Sequence, residues 1–129
     1  MKKVRAGAVL LPLCLFLGCK MKPTKVTRFS GPSPEVFYTV ETWEDNGAIS
    51  SDFTRVFAHF EHNGKSDKVM FLDGAYLALS SVRWSGKDEA TICISEGRVN
   101  SFKDTLTLKA GGESYAIRNR LDPACRQQQ

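Results

Sequence analysis

Between Phe102 and Ala110 the chain reads FKDTLTLKA, with Phe102, Leu106 and Leu108 on one parity and Lys103, Thr105, Thr107 and Lys109 on the other. A period of two puts all the apolar side chains on one face of a strand, whereas on a helix they would scatter around the axis. The same period governs the sequence beyond Pro34. EVFYTVETW (Glu35–Trp43) is rich in aromatic and β-branched residues, and FTRVFAHFEH sets Val56, Ala58 and Phe60 against Arg55, His59 and Glu61, with Phe57 breaking the polar side. AYLALSSVRW alternates through Tyr76 to Trp84, and in ATICIS the residues Ile92 and Ile94 oppose Cys93. Turn chemistry separates these runs: NGKSD, Asp73-Gly74, SGKDE and Gly111-Gly112. No segment carries a convincing helical period. The pattern predicts an all-β fold of about seven or eight strands, an antiparallel sandwich of immunoglobulin-like architecture, with a small β-barrel as the alternative.

The N-terminal stretch has a different logic. Lys2, Lys3 and Arg5 precede a run from Ala6 to Gly18 whose only ionisable side chain is Cys14. That run is shorter than the roughly 20 apolar residues a spanning helix needs and close to the ~7 to 15 of a signal-peptide core. It ends in LFLGC, which resembles the lipobox of bacterial lipoproteins on Gly18 and Cys19, with Phe16 where Leu is usual and Leu17 where a small residue is usual. The resemblance implies a signal peptide over residues 1–18, lipid attachment (an acyl group such as palmitate) at Cys19 as the first mature residue, and an anchor of two or more acyl chains. An ordinary secretory peptide and a buried N-terminal strand are the alternative readings. In lipoproteins of enteric-type bacteria Asp after the cysteine favours inner-membrane retention; Lys20 here implies the outer membrane, periplasmic side.

Residues 19–34, CKMKPTKVTRFSGPSP, contain Lys20, Lys22, Lys25 and Arg28, no acid and three prolines. This composition predicts a basic, Pro-rich tether, either lying on anionic headgroups or simply solvated. Residues 35–129 form the expected single β-domain. The formal charge of +4 is misleading: taking Lys2, Lys3 and Arg5 from the 18 basic residues leaves 15 against 14 acidic ones. A mature chain so nearly neutral argues against nucleic acid as a partner.

With Cys14 removed and Cys19 acylated, Cys93 and Cys125 remain as a pair in an oxidising compartment, which predicts a disulfide fastening LDPACRQQQ to the strand containing TICIS. His59 and His62 stand three apart and so on opposite strand faces, which argues against a shared metal. The carboxylates near turns lack the dense alternation of a calcium loop. No nucleophile elbow, phosphate loop or nucleotide fingerprint is present, so neither catalytic residues nor a cofactor or metal site is assigned.

Two further resemblances bear on function. WSGKDEAT (Trp84–Thr91) is similar to a stretch in small periplasmic inhibitors of C-type lysozymes, lipid-anchored and disulfide-bonded β-barrels whose Ser-Gly-x-x-Tyr loop enters the enzyme cleft; the nearest stretch here is GGESY (Gly111–Tyr115). Size, lipobox and a single β-domain also resemble periplasmic immunity lipoproteins that protect bacteria from secreted effectors. Together these features predict a membrane-anchored, non-catalytic module that binds a protein partner, with an immunity role foremost. A lysozyme inhibitor and a structural cell-envelope protein are the rivals.

Overall fold

The structure is a computed structural model that describes residues 22–44, 52–122 and 125. Residues 1–18, where the sequence predicts a signal peptide, and Cys19 lie outside the described residues. Seven strands follow in chain order: β1 (Lys25–Ser33), β2 (Val36–Trp43), β3 (Phe53–His62), β4 (Lys65–Ser85), β5 (Glu89–Phe102), β6 (Thr105–Ala110) and β7 (Glu113–Leu121). They hydrogen-bond into one open sheet in the order β1-β2-β3-β4-β5-β7-β6. The protein is therefore all-β, with the strand number the alternation predicts. All neighbouring pairs are antiparallel except β5 and β7, which run parallel where Glu89–Ile92 faces Arg118–Leu121.

The sheet folds back on itself through β4. The first part of this 21-residue strand pairs with β3, from Lys65 to Ala75, and the second with β5, from Leu72 to Ser85. Register shifts at Asp73/Gly74, Ala75/Ala78, Ala78/Leu79 and Leu79/Ser81 bend it, as bulges do where one strand serves two packed layers. Across the enclosed space Tyr38 of β2 donates its hydroxyl to Asn119 Oδ1 of β7. At the edge the Lys109 amide of β6 donates to Asp67 Oδ2 of β4 at 2.8 Å, and the Lys103 amide donates to the Phe71 carbonyl at 2.7 Å. The result is a small sandwich-like or barrel-like domain built from a continuous ladder.

The core follows the predicted parity. Val36, Tyr38 and Val40 of β2 meet Val56, Ala58 and Phe60 of β3, and Ile92, Leu106, Leu108 and Ile117 close the opposite side. Each large aliphatic side chain taken fully out of water contributes about 1.5–3 kcal/mol. Phe71 and Trp84 pack on the Tyr38 ring at centroid distances of 4.8 and 5.3 Å. The Cys93–Cys125 disulfide forms as predicted, with Cα atoms 5.6 Å apart, and ties the C-terminal segment to β5.

Two expectations are corrected. The stretch read as a tether contains β1: Lys25–Ser30 pairs with Phe37–Thr42, and Gly31 and Pro32 fall where the register slips between Ser30 and Ser33. An edge strand accommodates a proline at such a point because one row of its backbone groups has no ladder partner to lose. Asp73-Gly74 is a corner inside β4, not a chain reversal. A Cβ at Gly74 would lie 2.0 Å from the Arg98 carbonyl oxygen, so glycine is required there by the close approach of β5. Asn63-Gly64, by contrast, makes the predicted hairpin turn, with φ of 52° and 74°.

Candidate functional site on the outer face of the sheet

The parity that buries one side of β1–β4 sends the other side outward. Register places three cross-strand rows on this outer face: Ser30–Phe37–His59–Lys68, Arg28–Thr39–Phe57–Met70 and Val26–Glu41–Arg55–Asp73. Such a face is usually polar when solvated. Here it is floored with rings. Phe37 and His59 stack at 4.5 Å with their planes 8° apart, and Trp43 and Phe53 stack at 6.0 Å and 3°.

Cations cover the rings. The Arg28 guanidinium lies 3.7 Å from the Phe37 centroid, Lys68 Nζ lies 4.3 Å from that of Phe57, and Arg55 sits 4.9 Å from Phe53 and 5.4 Å from Trp43. These contacts attract through the ring quadrupole and screen apolar surface with aliphatic stems. They leave Phe37, Thr39 and Glu41 buried, while Val26 (55%) and Met70 (39%) remain among the exposed large hydrophobic residues. Lys68 Nζ also reaches Glu41 Oε2 at 3.0 Å, so the acid beneath it has an ion-pair partner.

The surroundings of His59 favour its neutral form. Burial lowers its pKa first, and the neighbouring Lys68 charge lowers it further. Its Nε2 lies 2.7 Å from Thr39 Oγ1, a hydrogen bond open to either tautomer. This pair fixes the ring against Phe37 at the centre of the face. His62 points the other way, stacked on Phe60 at 5.8 Å and 3.0 Å from Glu35 Oε2. The two histidines thus occupy opposite faces, as their spacing requires. Among the described residues no group of three or more histidine, cysteine or carboxylate side chains is placed to hold a metal.

An open groove of about 530 Å³ lies at the end of the sheet near the β3–β4 turn, lined by Pro34, Glu35, Glu61, His62 and the turn itself. Its lining holds one hydroxyl, that of Ser66, and the His62 ring is bonded to Glu35 at 3.0 Å. Gly111 and Gly112 form the β6–β7 turn, but Tyr115 is laid against Phe60 at 5.3 Å and its hydroxyl donates to the Lys87 carbonyl. That tyrosine therefore supports the β4–β5 turn and is committed to the fold. Trp84, the start of the other quoted stretch, likewise faces the core aromatics.

The outer face was partly visible in the sequence. Phe57, noted as the residue that spoils the polar side of its strand, is the middle of the aromatic floor; the pairing of Arg28 with Phe37 was not visible, because Arg28 lay in the presumed tether. Neither protein-family models, nor curated proteins, nor solved structures give a match to this chain.

Proposed function

We propose that the protein is a lipoprotein anchored through Cys19 to the periplasmic side of the bacterial outer membrane, and that it binds a protein partner, without catalysis, on the outer face of β1–β4. The observation that carries the binding part is the cation-capped aromatic floor at the centre of that face: Arg28 over Phe37, and Lys68 over Phe57. Aromatic residues, Met and Arg are enriched in the desolvated centres of protein interfaces, and rigid rings already fixed by packing bind with little entropic cost. Charges of both signs on the face favour a protein over a polyanion. The anchor, the size and the single β-domain support an immunity role, in which the partner is a secreted effector.

The experiment is affinity capture from cell-envelope and effector preparations with the acylated protein, in parallel with R28E/M70E on the outer face and R118E on β7. The reading expects one saturable partner, retained by R118E and weakened about 30-fold or more by R28E/M70E, the scale of losing a hot-spot contact. Equal capture by all three proteins, or cosedimentation with purified peptidoglycan in place of a protein partner, would refute it.

A further inference from the structure

The end of the sheet where β1 begins carries side chains of both parities. Register brings Lys25, Thr42, Thr54 and Gly74 side by side, with Trp43 and Phe53 paired just beyond them. The Tyr76 amide donates to the Asp52 carbonyl at 3.3 Å, which places Tyr76 at the same end. Two of the exposed large hydrophobic residues, Val26 and Tyr76, each 55% accessible, are therefore found here, next to the stacked Trp43–Phe53 pair.

Tyr76 is also one of two non-glycine residues with positive φ among those described. The other, Asn63, belongs to an Asn-Gly turn; Tyr76, at 56°, lies inside the bulged part of β4. A bulky residue is rarely held in that region, and persists there only where the surrounding structure fixes it.

We infer that this end of the domain, presenting Lys22, Lys25, Val26, Trp43, Phe53 and Tyr76, rests on the headgroup layer of an anionic lipid bilayer. The inference depends on the acyl anchor at Cys19 in the reading above. Because β1 starts at Lys25, at most about 20 Å of extended chain separates the anchor from the sheet. Within that short reach the domain cannot drift far from the surface, and its β1 end is the part closest to it. Lys22 and Lys25 come before any acid in the mature chain, and each lysine near an anionic surface strengthens binding several-fold. Tyr partitions to the level of the headgroups, where an apolar ring and a polar edge are both accommodated, and Tyr76 is 55% accessible, whereas Trp43 adds only ring surface because its Nε1 is buried. Glu44 and Asp52 share this end and confine the contact to the headgroup layer. The rows containing Arg28, Phe37, His59 and Lys68 then stand away from the bilayer, open to a partner.

The test uses the acylated protein in vesicles of phosphatidylethanolamine and phosphatidylglycerol carrying brominated acyl chains, with phosphatidylcholine vesicles for comparison. The chain has two tryptophans, and Trp84 is packed on the core. Bromine quenching should be present in the wild type and lost for the most part in W43F. It should be about fivefold stronger in the anionic vesicles, and that contrast should shrink in K22A/K25A, where Lys20 and Arg28 remain. Circular dichroism of each variant checks the fold. Intact acyl mass without quenching, or quenching unchanged in W43F, overturns the contact and leaves the anchor standing. Absence of acyl mass overturns both.

Discussion

Replacing Tyr38 by Phe removes one oxygen from the centre of the molecule and leaves its ring contacts with Phe71 and Trp84 in place. The cost follows from what that oxygen serves. Asn119 is 2% exposed, and its Nδ2 has no hydrogen-bond partner among the described residues. Its Oδ1 accepts from the Tyr38 hydroxyl. Without the hydroxyl both ends of the amide are buried and unpaired, and a buried acceptor stripped of its donor costs about 1–3 kcal/mol. We expect Y38F to lose ~2 kcal/mol, a fall of roughly 8 to 16 °C in Tm for a domain of this size. Thermal and urea unfolding followed by near-ultraviolet circular dichroism measure it. The double variant Y38F/N119L should recover to within about 1 kcal/mol of the wild type, because removing both partners removes the unsatisfied group.

A pH titration gives a second readout of the same residue. Burial, only partly offset by the bond to Asn119, raises the Tyr38 pKa above its ordinary value of 10. The folded state then holds the phenolic proton more tightly than the unfolded state. This stability is fully present below pH 10 and is lost as pH rises above it. Y38F should show a flatter alkaline limb. A variant within about 0.5 kcal/mol of the wild type at neutral pH, with the same alkaline limb, would refute the assignment of the Tyr38–Asn119 pair as a structural bond across the core.

Removing the disulfide with C93A/C125A should cost about 3–4 kcal/mol through the freedom returned to the unfolded chain, seen as a lower urea midpoint under oxidising but not reducing conditions. Because the folded pKa of His59 lies below its unfolded value of 6.5, its contribution is present above pH 6.5 and lost as pH falls below it. In H59F the acid limb of the stability curve should lose that component, as tested by urea titrations at a series of pH values.

Much of the architecture was legible because alternation is a local signal. FTRVFAHFEH coincides with β3, and its inward trio Val56, Ala58 and Phe60 are core residues. The departures arise where position in the sheet overrides local preference. Pro32, Pro34 and the basic side chains around them argue against a core strand, yet β1 is an edge strand and needs only one bonded side. Gly74 has the composition of a turn but meets the backbone of β5. The parallel pairing of β5 with β7 depends on which edge the β6–β7 hairpin docks against, a long-range choice that no local pattern encodes. The outer face was harder still: an aromatic on the exposed parity was visible at Phe57, but the cations covering the rings come from three different strands.

The bent β4 bears on how the molecule comes apart. Its residues 65–75 serve one half of the structure and 72–85 the other, and four of them are laddered on both sides. No seam exists along which one half could peel away while keeping its own spine. Fragments cut at the Asp73 corner should each be left with a raw flank, and amide protons on the two halves should exchange at a common rate set by the loss of the whole.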